Sequence, residues 1–185
     1  MSSTDKPPIS RWQLWIAALL PIFLSTPFID KAFHIDGPVY IYIAQHLQSH
    51  PINFYGFEIN WGSWPSWVFS FNKNPPGLSY FLAIMAFGLG WSEIALHSAQ
   101  LIPTVIASIG LFKLGMRFCK QPLLVCFVAV LTPSFLVSTS VIMCEPLMIM
   151  FYIWALVFWL KGLDDKSDKH LLLAGGGIGG SALTK

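Results

Sequence analysis

Two short runs, His34-Ile35-Asp36-Gly37-Pro38-Val39-Tyr40 and Asn74-Pro75-Pro76-Gly77, lie in a polar interruption between apolar segments, at residues 29–76. The preceding segment, residues 12–28, contains no charged side chain, and the segments that follow are long apolar runs joined by short polar stretches. Carboxylate, amide and aromatic side chains concentrated in one stretch of a lipid-compatible chain predict a site at the membrane surface. We expect Asp36 to lie at that site.

The composition indicates an integral membrane protein. Of the 185 residues, 55% are hydrophobic and only 11% are charged, whereas about 25% are charged in a typical soluble domain. We therefore predict an all-α polytopic membrane protein, surrounded by membrane lipids and with no nucleic-acid partner. Cys119, Cys126 and Cys144 are too few and too scattered for a disulfide framework or a zinc motif, and we interpret them as small core residues.

Apolar runs of near-spanning length divide the chain into segments. Lys6 and Arg11 precede the first run without a small-residue cleavage site after it, which indicates an uncleaved signal anchor. The last run is too short to cross a bilayer, so we expect the chain to be the N-terminal part of a longer protein and, by itself, to insert but to transfer nothing. The predicted segments are a cytoplasmic tail at 1–11, spans at about 12–28, 92–116, 122–143, 146–161 and 171–185 (incomplete), and an outer loop at 29–91.

The outer loop contains predicted surface helices. Apolar residues four apart between 39 and 47 give one helical face, and Asp36-Gly37-Pro38 is a plausible helix start. Residues 53–74, rich in Trp, Gly, Asn and Pro, predict an irregular interfacial loop, and 76–91 is either a short span or another surface helix. The glycine run at 175–180 follows no strand, so helix packing is favoured over a phosphate loop.

The distribution of Lys and Arg predicts the orientation. If residues 76–91 do not span, most basic residues fall on one side together with the N-terminus, which is then cytoplasmic. If 76–91 spanned, the basic joint at 113–120 would lie opposite the N-terminus, so the first arrangement is preferred. It assigns five acids to the outer face: Asp30, Asp36, Glu58, Glu93 and Glu145.

Asp36 and Glu145 are the candidate catalytic acids. Both fall at ends of predicted spans on the same face, and a carboxylate at a membrane edge is costly unless it is solvated, paired or used. The alternative for each is a helix cap. Gly37-Pro38 follows Asp36, and Pro146 follows Glu145, so both contexts also suit a helix N-terminus.

The order of motifs resembles that of the GT-C membrane glycosyltransferases. Asp36-x-x-x-Tyr40 is followed by Asn74-Pro75-Pro76-Gly77, and an acid-Pro-Leu at Glu145 comes later. The chain is most similar to the family that contains the protein O-mannosyltransferases and the lipid A aminoarabinose transferases. The closing Leu183-Thr184-Lys185 also resembles a motif of that family, and the resemblance extends from Trp12 to the end.

Three positions depart from the family pattern. Gly37 stands where the family has a Glu after the first Asp, Asn74 stands where it has Lys or His before Pro-Pro, and the later acid is Glu145 in place of Asp. The first departure weakens any metal role, so no cofactor and no metal site is expected. A divalent metal is compatible with the sequence, but nothing in the sequence indicates one. The second leaves open which residue meets a phosphate, with Lys73 one place earlier.

The resemblance implies transfer of a sugar from a polyprenyl-phosphate-linked donor to a lipid, glycan or protein acceptor on the outer face. Such transfers invert the anomeric carbon, and the implied general base is Asp36, with Glu145 orienting sugar or acceptor. Lys73, Asn74 and Lys185 are the implied donors to the phosphate. Tyr40, His34 and three tryptophans are candidates for stacking on sugar or isoprene, with membrane anchoring as the alternative for Trp61, Trp64 and Trp67.

Two other classes of function stay open at this level. A transporter or lipid flippase would use Asp36 and Glu145 to bind a proton or substrate, although transporter sites tend to lie at the membrane midplane. A non-catalytic membrane subunit is favoured by Gly37 and Asn74. The scattered free cysteines indicate a bacterial protein, which predicts the plasma (inner) membrane as its location.

Overall fold

The computed structural model describes residues 11–185 and shows an all-α membrane protein with one short strand pair. The first helix, α1 (Arg11–Ser25), covers the first predicted span and continues into a 3₁₀ turn at Thr26–Phe28. Its 15 residues extend for about 22 Å. The tail at residues 1–10 lies outside the described residues.

Two long helices are the strongest membrane spans within residues 11–185. They are α5 (Glu93–Phe118) and α8 (Glu145–Asp165), and both are long and apolar enough to cross a bilayer. Helix α5 begins where Ser92 Oγ accepts the backbone N–H of Ala95 at 3.2 Å, a capping bond that satisfies one otherwise unpaired donor. The two helices run in the same direction, as shown by the ion pair between Arg117 and Asp164 near their C-terminal ends.

The predicted span at 122–143 is interrupted. The structure has α6 (Pro122–Val130) and α7 (Pro133–Thr139), bent by 67° at the break, so the two together make at most one broken span. Pro133 has no N–H to bond back into the preceding turn, and its ring crowds the carbonyl four residues earlier. Residues 140–144 then continue without helix, and Val141, Ile142 and Cys144 in this linker are buried.

The glycine run lies in α9 (Asp168–Ala182), which packs along α8. A side chain at Gly177 would collide with Phe151 and Ala155, and one at Gly180 with the Phe151 ring. The prediction that these glycines serve helix packing is confirmed for those two positions. Gly175, Gly176 and Gly179 face open space.

The outer loop forms a small subassembly of its own. It contains α2 (Gly37–Ser49), the antiparallel strands β1 (Glu58–Ile59) and β2 (Ser66–Trp67), α3 (Val68–Phe71) and α4 (Gly77–Leu89). Helices α2 and α4 pack on each other through fully buried Ile43, Leu78 and Leu82. Ser79 Oγ donates to the backbone carbonyl of Tyr40 at 3.1 Å, which fixes α4 against the start of α2.

Residues 76–91 form a helix shorter than a span. The 13 residues of α4 extend for about 20 Å, whereas the hydrocarbon core of a bilayer is about 30 Å thick. The interfacial loop predicted at 53–74 is irregular apart from the strand pair and α3. Of the three free cysteines, Cys126 and Cys144 are buried as expected, but Cys119 is exposed, because it follows the last turn of α5.

Candidate active site

A pocket of about 380 Å³ opens where the start of α2 and the segment before α4 meet the start of α8. Five separate parts of the chain supply its walls: the start of α2, the loop between β1 and β2, the segment that leads into α4, the linker that enters α8 and the last described residue. The lining side chains belong to Asp36, Val39, Tyr40, Trp61, Phe71, Asn72, Lys73, Asn74, Met143, Cys144, Glu145 and Lys185. Six of the seven site residues predicted from the sequence therefore line one pocket.

Asp36 occupies the N-cap position of α2 but makes no side-chain capping hydrogen bond. Its side chain is exposed at the pocket, and within residues 11–185 its carboxylate forms no ion pair. Pro38 begins the first helical turn, where a missing N–H costs nothing. Among the described residues the Asp36 carboxylate therefore has no hydrogen-bond or ion-pair partner.

Tyr40, one turn into α2, is tied to the motif before α4. Asn74 Nδ2 donates to the Tyr40 hydroxyl at 2.7 Å, and this hydroxyl lies 3.9 Å from Cys144 Sγ. Burial, together with Cys144, raises the pKa of Tyr40 well above its usual value. The phenol therefore stays protonated at neutral pH and keeps its own proton available for donation.

Both the side chain and the backbone of Asn74 form hydrogen bonds within the protein. Its side chain donates to Tyr40, and its backbone carbonyl accepts the hydroxyl of Tyr55. Burial raises the pKa of Tyr55 to about 12, so that hydroxyl also remains a donor. Lys73, next to Asn74, is exposed at the pocket and forms no ion pair among the described residues.

Glu145 is the first residue of α8 and pairs with Lys185, whose Nζ lies 2.6 Å from Glu145 Oε1. The Glu145 side chain is 19% exposed and that of Lys185 is 47% exposed, so the pair sits at the pocket wall with the ammonium facing outward. Glu145 is not the cap of α8, because the N-cap position is occupied by Cys144. Its carboxylate instead binds the ammonium group of Lys185, which follows the C-terminal end of α9.

The segment that carries Lys185 is anchored to the Pro-Pro-Gly motif. The backbone N–H of Gly77 donates to the carbonyl of Leu183 at 2.9 Å, and a Cβ at Gly77 would collide with that same carbonyl. Thr184 is buried, and its Oγ1 donates to the carbonyl of Gly180 at 2.8 Å. The two motifs are thus in direct contact although more than a hundred positions separate them.

His34 is the predicted site residue that does not line the pocket. It is exposed ahead of α2, and its backbone carbonyl accepts the N–H of Gly37 at 2.8 Å. The three tryptophans also separate, since Trp61 lines the pocket whereas Trp64 and Trp67 are exposed elsewhere. Asn72, Met143 and Cys144 were missed by sequence reasoning, and their only signal was adjacency to predicted site residues.

Two further features of the surroundings bear on the chemistry. A Cβ at Gly37 would lie 3.5 Å from Ile142 Cβ, and Ile142 is buried in the same apolar cluster as Val39 and Tyr40, so the linker before α8 packs on the start of α2. Within residues 11–185, no group of three or more His, Cys, Asp or Glu side chains is arranged to hold a metal ion. The pocket offers two carboxylates, two lysine ammonium groups, a phenol and an aromatic wall.

The family model for the dolichyl-phosphate-mannose-protein mannosyltransferases matches residues 73–185, which is more than half of the chain. The chain belongs to this family. It is therefore an integral membrane protein of the GT-C mannosyltransferase-like type, and the family supports glycosyl transfer from a polyprenyl-phosphate-linked donor. No curated protein and no solved structure matches the chain.

The family match covers one side of the pocket only. Lys73, Asn74, Glu145 and Lys185 lie inside the matched residues, whereas Asp36 and Tyr40 precede them. Asp36 therefore joins the family's part of the site through the packing of α2 against α4 and the 140–144 linker.

Proposed function

We propose that this protein transfers a glycosyl group, with inversion at the anomeric carbon, from a polyprenyl-phosphate donor to an acceptor hydroxyl on the outer face of the plasma membrane. The observation that carries the proposal is the pocket, which unites the carboxylates of Asp36 and Glu145 with the ammonium groups of Lys73 and Lys185. Acid and cation side chains together suit a reaction that moves a proton while a phosphate departs.

Asp36 is the general base. As the acceptor oxygen attacks the anomeric carbon, its proton passes to the Asp36 carboxylate, and the bond from that carbon to the phosphate oxygen breaks. The electron pair of that bond leaves on the phosphate. Attack from the face opposite the leaving group inverts the configuration, and one positioned carboxylate is sufficient for the proton transfer.

Lys73 and Lys185 stabilise the departing lipid phosphate. An ammonium group has three N–H donors, and Glu145 occupies one of those of Lys185, which leaves two for phosphate oxygens. Lys73 lines the same pocket from the segment before α4, and no acid forms an ion pair with it among the described residues. Donors aimed at developing negative charge supply the largest electrostatic share of such catalysis.

Glu145, Tyr40 and Trp61 orient the sugar. Glu145 fixes the Lys185 ammonium through Oε1, and its Oε2, which lies 3.8 Å from Cys144 Sγ, is the oxygen that would accept a sugar hydroxyl. Tyr40 retains a proton that it can donate, because Asn74 uses its oxygen as an acceptor. Trp61 offers an aromatic face, on which the apolar side of a sugar ring packs. His34 receives no role in this assignment.

The membrane context completes the proposal. We assign the protein to the bacterial plasma membrane with its N-terminus in the cytoplasm, so that the pocket opens outside, where a lipid, glycan or protein acceptor approaches. The basis is the asymmetry of basic residues in the sequence together with the family's lipid-linked donors.

Sugar transfer by membranes that contain the complete reading frame tests this function. The probe donor is undecaprenyl-phosphate mannose with a labelled sugar, and release of undecaprenyl phosphate is measured beside labelled product. Asp36→Asn should lower the rate by at least about two orders of magnitude, the usual share of general base catalysis, and Glu145→Gln should lower it less. Asp30→Asn is the matched control, since Asp30 is an exposed acid outside the pocket.

The opposite result has a definite meaning. If Asp36→Asn leaves the transfer rate unchanged while thermal stability falls, Asp36 only supports the start of α2. If the unaltered protein releases no undecaprenyl phosphate from any labelled donor tested, the chain is a non-catalytic member of the family.

A further inference from the structure

A second concavity, of about 750 Å³, lies between α5, α8 and α9, away from the candidate active site. We call it the α8–α9 groove. Its walls are aromatic and aliphatic, with Trp154 and Phe158 from α8 facing Leu172 and Leu173 from α9. Of the side chains at 11–185 that line it, only Lys169 is charged, and it stands in the first turn of α9.

The shape of the groove is built into the helices. Trp154 is held in place because its Nε1 donates to the carbonyl of Ile106 on α5 at 2.8 Å. On the facing helix, Gly176 lines the groove and has no atom within 4 Å of where a Cβ would stand. The missing side chain at Gly176 therefore leaves space that any other residue would occupy.

The charge at the end of the groove is unbalanced. Lys169 and Lys113 form no ion pair within residues 11–185, whereas the nearby Arg117 is paired with Asp164 and His170 lies 3.6 Å from Asp165. Lys113 Nζ stands 4.6 Å from the centre of the Trp154 ring. Asp168 precedes Lys169 in the chain but does not line the groove. Unpaired basic residues beside an apolar groove attract the phosphate of an anionic lipid.

The groove and the candidate active site belong to opposite ends of α9. Lys169 stands in its first turn and Lys185 follows its last residue, and the 15 residues of α9 extend for about 22 Å. A donor phosphate held between Lys73 and Lys185 is therefore too far away to be bound by Lys169. A phosphate that contacts Lys169 therefore belongs to a different lipid, in the leaflet opposite the candidate active site.

We propose that the α8–α9 groove binds an anionic glycerophospholipid from the leaflet that meets the α8–α9 joint. One acyl chain lies along Trp154, Phe158 and Gly176, and the phosphate contacts Lys169. This assignment is independent of the glycosyl transfer proposed above, because it uses no residue of the candidate active site.

Photo-crosslinking of the full chain in lipid nanodiscs tests the site. The probe is phosphatidylglycerol with a diazirine in one acyl chain, present as a minor component in phosphatidylcholine, and labelled peptides are mapped by mass spectrometry. Label should concentrate in residues 150–158 and 169–177, and unlabelled phosphatidylglycerol should compete for it. Lys169→Glu should reduce the crosslinking yield at least about fivefold, since one basic residue near a membrane phosphate contributes about 1 kcal/mol. Gly176→Leu should reduce the crosslinking yield by a comparable factor, because its side chain fills the groove.

Matched controls are available on the same two helices. Gly179 also faces open space but does not line the groove, so Gly179→Leu is the control for Gly176→Leu. Lys161→Glu makes the same change of charge near the end of α8, at a residue that does not line the groove. Both should retain the labelling of the unaltered chain, and circular dichroism confirms that all four variants fold. Equal labelling by a phosphatidylcholine diazirine probe, full labelling of Gly176→Leu, or crosslinks between two protein chains through the groove would each overturn the proposal.

Discussion

Removal of the Lys185 charge should harm donor binding more than removal of Lys185 and Glu145 together. In the structure the two side chains neutralise each other, with Lys185 Nζ 2.6 Å from Glu145 Oε1. Lys185→Gln leaves the Glu145 carboxylate unpaired in the pocket that is to receive a donor phosphate. The double variant Glu145→Gln/Lys185→Gln removes that like-charge repulsion and should recover part of the lost affinity.

The exposure of the pair sets the size of the effect. Two unit charges 4 Å apart interact by roughly 4 kcal/mol at an effective dielectric constant of 20. The Lys185 side chain is 47% exposed and that of Glu145 19%, and measured pairs with such access to water contribute about 1 kcal/mol or less. A repulsion of about 1 kcal/mol corresponds to a difference of about fivefold in KM for the donor.

A double-mutant cycle measures this coupling. The donor KM and kcat are determined for the unaltered protein, both single variants and the double variant. The control is the double variant Lys73→Gln/Glu145→Gln, because Lys73 lies in the same pocket without an ion-pair partner in the described residues. Its change in donor KM should equal the product of the changes in the two single variants. If the Lys185 double variant binds the donor worse than Lys185→Gln alone, the pair does not act as a unit and this reasoning is refuted.

Three further outcomes are expected. Gly77→Ala should lower the free energy of unfolding by about 1–3 kcal/mol in denaturant titration, since its Cβ displaces the carbonyl that accepts the Gly77 N–H; Gly88→Ala, in the same helix with open space around it, should be neutral or stabilising. Trp61→Ala should raise the donor or acceptor KM whereas Trp64→Ala should change only membrane association, because only Trp61 lines the pocket; equal effects on KM would contradict this assignment. A cysteine introduced at Ser63 in a background without native cysteines should react with a membrane-impermeant thiol reagent in intact cells, and reaction only after permeabilisation would reverse the predicted orientation.

The sequence predicted the elements better than their interruptions. Residues 92–116 and 146–161 carry long apolar runs, and the structure has helices α5 and α8 there. Residues 122–143 looked like a third run of the same kind, but the helix breaks before Pro133. Pro103 lies inside α5 without breaking it. Proline alone does not decide between these outcomes, because neighbouring helices can compensate for the backbone hydrogen bond that it removes.

The sequence predicted which residues belong to the candidate site, but not which of them contact one another. Asp36 and Glu145 were selected because carboxylates next to apolar spans are costly and few, and Lys73 because it lies beside the position where the resembled family has a basic residue before Pro-Pro. Nothing in their spacing shows that Lys185 pairs with Glu145, or that the Asn74 amide is used up by Tyr40. His34 was selected as an aromatic side chain that could stack on sugar or isoprene, but it is exposed ahead of α2 and does not line the pocket.

The sequence by itself determined that the chain is an all-α membrane protein with a polar stretch at residues 29–76, because the transfer of each segment into lipid depends on its own composition. It also determined which charged groups were available, since so few charges occur near the spans. The tertiary structure alone decided which of them meet. Packing of α2 on α4 and of α9 on α8 brings the start, middle and end of the chain to one pocket, and the energies that fix such contacts arise between residues more than a hundred positions apart.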